Sequence, residues 1–463
     1  MFRSVDPASG EEIAHYQQTD ADGVDRVLDR ATTRFGDWGA LSPRDRADRL
    51  RPLAYRLRAS SSRLADLIVR ETGKPVRQAR AEIDKSAATV DWFVANGPDL
   101  LDAQPIDTGA TVSEVRYEPL GPVLAIMPWN YPVWQLIRAA IPALLSGNPV
   151  VFKPAPNTVG CAFATVAVFD DALVQILLTD NDLTSSAIAD DRIAAVTLTG
   201  SVRAGRAVGA LAGENLKKAV LELGGSDPFV VLSDADVDRA ADAACWARMQ
   251  NNGQACIAAK RFIVAEPVAD DFLAAFAERV GSLVLGDPQD EHTDVGPVAR
   301  ADVRDELQRQ LESSVTQGAT LVTGAGSLDR EGWWFEPTIV TGAVPGMPVW
   351  DEETFGPLAA VHVAGDDAAA IAAAHHPRFG LGVSLWTADE DAAFESAGDF
   401  DAGMVFVNSV VTSDPRLPFG GVRESGLGRE LGAQGLREFT NIKSVVVGAC
   451  TRPDQNATLR LVS

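Results

Sequence analysis

Ala194-Ala195-Val196-Thr197-Leu198-Thr199-Gly200-Ser201-Val202-Arg203-Ala204-Gly205 passes from an apolar run short enough for a buried strand, through a small polar turn, into a segment that opens a helix. Such a turn leaves backbone N–H groups free at a helix start, where a dinucleotide pyrophosphate can be received. The glycine spacing is not the full G-x-G-x-x-G fingerprint, so the stretch by itself specifies strand, turn and helix but no ligand. Its surroundings decide the fold. Val123 to Met127, Pro149 to Phe152 and Ala219 to Leu223 are equally short apolar runs separated by helical segments, the texture of an α/β doubly wound parallel sheet. After Gly224-Gly225-Ser226 the alternation restarts with Phe229 to Leu232, Arg261 to Val264, Leu358 to Val363, Val383 to Trp386 and Met404 to Val407, which predicts a second α/β domain. Upstream, periodic apolar positions around Val24 to Phe35, Leu50 to Leu67 and Ala79 to Phe93 predict that the first hundred residues are mainly helix.

At 463 residues the chain exceeds the size at which one core keeps growing, so two large domains are expected. The formal net charge of -23 excludes nucleic acid as a partner, because that affinity comes from Lys and Arg neutralising phosphates. The acidic balance suits a salt-adapted protein, although an ordinary acidic surface is its commoner origin. The start, Met1-Phe2-Arg3-Ser4-Val5-Asp6-Pro7, carries no apolar signal core, and apolar stretches such as Gly121 to Gly147 are interrupted before they could span a bilayer. A cytoplasmic chain with no membrane partner is expected. Four cysteines, at 161, 245, 256 and 450, suit neither a disulfide framework nor a zinc site with paired ligands, and no metal is expected.

Four segments carry chemistry. In Asn251-Asn252-Gly253-Gln254-Ala255-Cys256-Ile257 a cysteine follows a polar turn at the end of a predicted helix, which would expose its sulfur and leave its backbone N–H free; an inert buried thiol is the commoner outcome for an unpaired cysteine. In Leu221-Glu222-Leu223-Gly224-Gly225 a carboxylate sits among apolar residues beside two glycines that permit close approach, either as a general base with a raised pKa or as one half of an ion pair. In Met127-Pro128-Trp129-Asn130-Tyr131-Pro132 two prolines fix a strand exit around an amide, which serves either as an oxyanion donor or as an Asx turn. Phe152-Lys153-Pro154-Ala155-Pro156 places an ammonium at a strand's carboxyl end, where α/β sheets bind ligands and where a solvated lysine is also ordinary. A hydrolase or acyltransferase built on Cys256 would need a histidine, yet His15, His292, His362, His375 and His376 lie in none of these motifs.

Taken in order, these segments resemble the signatures of the aldehyde dehydrogenase superfamily. Glu352-Glu353-Thr354-Phe355-Gly356-Pro357 and Pro418-Phe419-Gly420-Gly421-Val422-Arg423-Glu424-Ser425-Gly426 extend the match, which runs from Asp6-Pro7-Ala8-Ser9-Gly10 to Asn441-Ile442-Lys443. The resemblance implies a Rossmann-type cofactor domain formed by residues 1–110 and 120–224. A catalytic domain would span 225–438, and a small oligomerisation extension would join 111–119 to 439–463 in a homodimer or homotetramer. It implies Cys256 as nucleophile, Asn130 with the Cys256 N–H as oxyanion donors, and Glu222 as the base that activates water against a thioester. Lys153 and Glu353 would hold ribose hydroxyls of NAD or NADP, Gly200 and Ser201 would lie under the pyrophosphate, and Phe355 near the nicotinamide ribose. Trp129, Pro156 and Gly205 complete the implied cofactor set.

Within the superfamily the chain is most similar to bacterial succinate-semialdehyde dehydrogenases, judged on Trp134-Gln135-Leu136-Ile137-Arg138, Ser226-Asp227-Pro228-Phe229 and Ala258-Ala259-Lys260-Arg261 beside the motifs above. The far end of that small-molecule aldehyde is a carboxylate, so a cation is required. Arg138 is the candidate, with Ser413 as a second donor and Trp134 and Ile257 as pocket walls; an interdomain or subunit salt bridge is the other role open to Arg138. Ile257-Ala258-Ala259 follows the nucleophile where some relatives have a second cysteine, so no local disulfide switch is expected. Pro156 stands three residues after Lys153, where relatives often carry Glu or Ser, and neither repels nor binds a 2′-phosphate; acceptance of both cofactors is expected. The helix between Cys161 and Asp180 reads as shorter than usual, with a reshaped adenine pocket as the consequence.

Overall fold

The computed structural model describes residues 1–448 except 170–171, 325 and 376–377. His376, Cys450 and the end of the 439–463 segment therefore lie outside the described residues. Two parallel sheets organise the rest. The first has the order Gly426–Leu427, Lys218–Glu222, Ala195–Thr199, Val123–Ile126, Val150–Lys153, Val174–Ile176, all parallel except Gly426–Leu427. Its chain direction reverses between Val123–Ile126 and Ala195–Thr199, so a crevice opens at their carboxyl ends, the place where such sheets take ligands. These strands are buried on both faces, which is why they read as continuous apolar runs.

The second sheet has seven strands, in the order Thr320–Thr323, Thr338–Thr341, Leu358–Ala364, Ala259–Ala265, Asp227–Val231, Gly382–Trp386, Met404–Val407, with only the first antiparallel to its neighbour. A third sheet pairs Thr440–Val447 with Val112–Pro119 and Gln104–Pro105. The strand Gly426–Leu427 completes the first sheet although the sequence assigned it to the second domain, because its backbone pairs with Glu222 and Leu221. The N-terminal region opens with an antiparallel pair, Phe2–Val5 and Glu12–Tyr16, that helical periodicity did not predict. The span Leu50 to Leu67 is three helices, Pro43–Leu50, Pro52–Ala59 and Ser61–Thr72, since Pro52 can only begin a helix and Ser60 ends one. Between Cys161 and Asp180 the helix is the short Val159–Val166. No described helix is long and apolar enough to cross a membrane.

The helix Val76–Leu100 packs its buried face, including Ile83, Val90 and Phe93, into the same core as Ile137 and Leu144 of Trp134–Leu145. Between these helices a polar joint fixes the strand exit that holds Asn130. The buried Glu82 carboxylate accepts from Val133 N (2.9 Å) and Trp134 N (3.0 Å), capping the second helix, and forms an ion pair with the equally buried Lys74. Lys74 lies over the Tyr131 ring, 3.9 Å from its centroid. Removing one partner of a buried pair leaves an uncompensated charge at a cost of about 3–5 kcal/mol. Glu82→Gln keeps an acceptor for the two N–H groups but strands Lys74, so thermal denaturation is expected to show a lowered Tm, most of it regained in the double variant Lys74→Met, Glu82→Gln; equal losses in both variants would contradict the pairing.

Candidate active site

Cys256 sits in a turn between the helix Val237–Met249 and the strand Ala259–Ala265. The turn departs from ordinary backbone: Asn251 (φ 54°), Asn252 (φ 55°) and Gly253 (φ 73°) are all left-handed in succession. Asparagine and glycine are the residues that reach this region at least cost, and surrounding polar contacts must hold them there. Asn251 Nδ2 donates to the carbonyls of Asn130 (3.0 Å) and Gln254 (2.9 Å). Asn252 Nδ2 donates to the carbonyls of Gly73 (2.9 Å) and Pro297 (2.8 Å), and its Oδ1 accepts from Gly296 N (2.8 Å). The buried Arg248 guanidinium ties the carbonyls of Gly253 and Ala259 (3.1 Å for the latter). Lys260, fully buried, donates to the Cys256 carbonyl at 2.6 Å. The Cys256 N–H meets no acceptor among the described residues, as the sequence predicted.

Asn130 emerges from Val123–Ile126 and approaches the same turn, its Nδ2 donating to the Gln254 carbonyl at 3.0 Å. That contact orients the amide and leaves its second N–H available. Together with the free Cys256 N–H, this gives the cleft that Asn130 and Cys256 share two uncommitted donors, the kind of group that stabilises an oxyanion. Burial pushes the Cys256 thiol up to about 12, an effect opposed by the positive charges of Arg138 and Lys260. The resting sulfur is therefore a thiol.

Glu222 ends the strand Lys218–Glu222, is 1% exposed, and has no hydrogen-bond partner for either carboxylate oxygen among the described residues. Room for it is made by Gly420, where an added Cβ would stand 2.5 Å from Glu222 Oε1. Burial raises its pKa well above the carboxylate range, and the nearby Glu430 carboxylate adds to the shift. Arg138 is shared between these carboxylates: it forms an ion pair with Glu430, donates to Thr199 Oγ1 at 3.1 Å, and opposes the rise at Glu222. Arg138 therefore lines the cleft with its charge already committed to Glu430, which is a salt bridge internal to the site. Ser413 also lines the cleft, and its hydroxyl accepts from Lys85 Nζ at 2.6 Å.

A single cleft of about 640 Å³ brings together Asn130, Trp134, Arg138, Cys256, Ile257 and Ser413, drawn from well-separated parts of the chain. Of the predicted cofactor residues, Trp129, Lys153, Pro156, Gly200 and Ser201 lie at or just beyond the carboxyl ends of first-sheet strands, whereas Glu353 and Phe355 precede the second-sheet strand Leu358–Ala364. Lys153, ending Val150–Lys153, is nearly buried and has no hydrogen-bond partner among the described residues, and burial lowers its pKa. Ser201 caps the helix Val202–Glu214, its side chain accepting from Ala204 N, and Gly200 leaves open space at the crevice, a Cβ there meeting nothing nearer than 3.8 Å. A partnerless ammonium beside a free helix start fits the ribose and phosphates of a dinucleotide. Gly205 instead faces Leu223, so its missing side chain serves helix-on-sheet packing. Pro156 is exposed in the turn beyond Lys153. Trp129 and Phe355 meet edge to face, 5.5 Å between centroids, in a small apolar cluster with Ala155 and Ala299. Glu353 approaches Gly224, accepts from Gly225 N at 3.1 Å and lies 3.7 Å from Lys260.

The sequence matches the aldehyde dehydrogenase family over residues 1–445. The chain is a member of the aldehyde dehydrogenase family. It is 46% identical over 447 residues to the succinate semialdehyde dehydrogenase [NAD(P)+] Sad of Escherichia coli, covering 96% of this chain and 97% of that one. To the succinate-semialdehyde dehydrogenase [NADP(+)] 1 of Mycobacterium tuberculosis it is 43% identical over 450 residues, 96% and 98% of the two chains. The crystal structure of succinic semialdehyde dehydrogenase from Streptococcus pyogenes, in complex with NADP+, superposes with a TM-score of 0.94 at 31% identity, covering 97% of this chain and 100% of that one. As a family member the chain is an NAD(P)-dependent enzyme that oxidises an aldehyde.

The sequence reading missed Glu430, although Gly428-Arg429-Glu430-Leu431-Gly432 repeats the glycine-flanked carboxylate seen at Glu222. It also missed Lys85 and Glu82, which belong to a helix read only as scaffold, and Lys74 in the turn before that helix. For Glu222 the raised pKa means that the folded chain holds a proton the unfolded chain releases, so folded stability falls as pH rises from the unfolded carboxyl value of about 4.3 through the folded one. Glu222→Gln is therefore expected to melt at a higher temperature than the parent, by a margin that widens over that span; a margin independent of pH would contradict an ionisation origin. For Cys256, alkylation of the cofactor-free protein by iodoacetamide is expected to accelerate with pH beyond 9, whereas a plateau near pH 7 would contradict the raised thiol pKa.

Proposed function

We propose that the chain oxidises succinate semialdehyde to succinate through a covalent thioester on Cys256. The observation that carries this reading is the cleft in which a donor amide, a thiol and cationic and hydroxyl groups converge: Asn130, Cys256, Arg138 and Ser413. The names of relatives at 46% and 43% identity over nearly the whole chain support the same substrate.

When bound, the nicotinamide dinucleotide supplies hydride acceptance; everything else falls to the chain's own residues. Lys153, Glu353, Gly200 and Ser201 would hold its ribose and phosphate groups, with Trp129 and Phe355 beside the ring end. The Cys256 thiol gives its proton to solvent entering the cleft as Sγ adds to the aldehyde carbon, and the oxyanion formed from the carbonyl oxygen is carried by Asn130 Nδ2 and the Cys256 N–H. After that carbon has been oxidised, Glu222 takes a proton from the water that attacks the thioester. Burial raises the pKa of this carboxyl well above the ordinary carboxylate value, which makes it a stronger base toward water than an exposed carboxylate. Pro156, which neither repels nor binds a 2′-phosphate, supports use of both NAD and NADP.

We further propose a homodimer or homotetramer formed through the third sheet. Thr440–Val447 is an edge strand of that sheet, with Ile442, Val446 and Val447 exposed along it, and an uncovered apolar edge is a pairing surface. Steady-state kinetics with a panel of aldehydes tests the substrate: succinate semialdehyde is expected to have the highest kcat/KM, with usable KM values for both cofactors, and a flat profile across the panel would overturn it. Cys256→Ala is expected to abolish NAD(P)H formation, and retained activity would overturn the mechanism. Light scattering is expected to give two or four times the chain mass, and a monomer would exclude the proposed interface.

A further inference from the structure

Five cationic side chains line the cleft among the described residues: Lys74, Arg77, Lys85, Arg138 and Arg279. Four of them are matched by a carboxylate. Lys74 pairs with Glu82, Arg77 with Asp294 at 2.8 Å, Arg138 with Glu430, and Arg279 with Asp242. Lys85 is the exception: its Nζ meets the Ser413 hydroxyl at 2.6 Å and lies 4.7 Å from the centroid of the Trp134 ring, with no carboxylate within ion-pair distance. The acids nearest to it are committed elsewhere. Asp414 accepts two bonds from Arg416, at 2.8 and 2.6 Å, and Glu82 serves Lys74 and the N-terminus of the helix Trp134–Leu145.

We propose that Lys85 is the residue that selects a substrate with a carboxylate at the end remote from the aldehyde, gripping it together with the Ser413 hydroxyl beside the Trp134 face. This rests on the reading that a semialdehyde is oxidised at Cys256. An unmatched ammonium in a partly desolvated cleft attracts an anion, and the Ser413 hydroxyl, which accepts from Lys85, keeps its own hydrogen free to donate to the same carboxylate. Trp134 gives the ammonium an aromatic face on one side and narrows the directions from which a ligand can reach it. Arg138 is held by Glu430 and Thr199, and its charge adds to the positive field of the cleft.

The groups facing Lys85 give the selection a pH limit. Burial and the Arg138 charge lower its pKa to about 8, against the opposing pull of Asp414 and Glu82. The ammonium, and with it the grip on a carboxylate, is therefore present below about pH 8 and lost above it.

The test compares kcat/KM for succinate semialdehyde with that for butanal, an uncharged aldehyde of the same chain length, in the parent, Lys85→Met and Lys85→Arg. Taking the ratio on one preparation cancels any misfolded fraction. The parent is expected to prefer the charged aldehyde, Lys85→Met to lose at least tenfold of that preference through a raised KM, and Lys85→Arg to recover most of it. In the parent the KM for succinate semialdehyde is expected to rise as pH passes about 8, a rise absent in Lys85→Met. A parental preference left intact in Lys85→Met overturns the assignment of Lys85 alone. A parent with no preference overturns the substrate reading and this assignment together.

Discussion

Three consecutive left-handed residues, Asn251, Asn252 and Gly253, set the geometry on which the site depends. Such a turn is unfavourable in isolation and persists because side-chain amides and two buried cations hold the carbonyls of Gly253, Gln254 and Cys256. One result is that the chain leaves the helix Val237–Met249 and enters the strand Ala259–Ala265 with the Cys256 N–H unspent. The other is that Asn130, from the opposite sheet, is bound into the same network by its own amide and carbonyl. The placing of Asn130 against the turn that carries Cys256 is thus set by hydrogen bonds, which is the condition for electrostatic preorganisation under the proposed mechanism. Space is equally tight, since a Cβ on Gly253 would overlap the backbone of Gly356.

Charge is the second constraint. Glu222 and Glu430 are buried close together with Arg138 as the nearest strong counter-charge, so both carboxyls are driven toward their neutral forms. The fold tolerates this because the surrounding sheet and helices are well packed, and under the proposed mechanism the poorly satisfied Glu222 carboxyl is the group that exchanges a proton. Cys256 follows the same logic: burial holds it as a thiol, and the nearby Arg138 and Lys260 charges oppose that shift.

Much of this was legible in the sequence, for identifiable reasons. Strands such as Val123–Ile126 and Ala195–Thr199 are covered on both faces, so burial writes itself as an unbroken apolar run. The antiparallel pair Phe2–Val5 and Glu12–Tyr16 is half exposed and polar, and left no such mark. Cys256, Glu222 and Asn130 were findable because each sits in a local sequence built for a turn or a close approach. The partners that tune them were not. Glu430 meets Arg138, and Lys85 meets Ser413, across long sequence separations that no local pattern encodes. Arg138 shows the difference clearly: its place at the site was readable from its motif, but the carboxylate that occupies it was visible only in three dimensions.

The central claim is that the aldehyde carbon becomes covalently bound to Cys256 and is released by Glu222-assisted hydrolysis. Mixing Glu222→Gln with NADP and succinate semialdehyde, quenching in acid and measuring the mass of the peptide that carries Cys256 tests this most directly. The account predicts one equivalent of reduced cofactor per site, formed in a burst that then stalls, with a succinyl group on that peptide. Continued turnover with an unmodified Cys256, or a succinyl group on Cys161 or Cys245 instead, would contradict it.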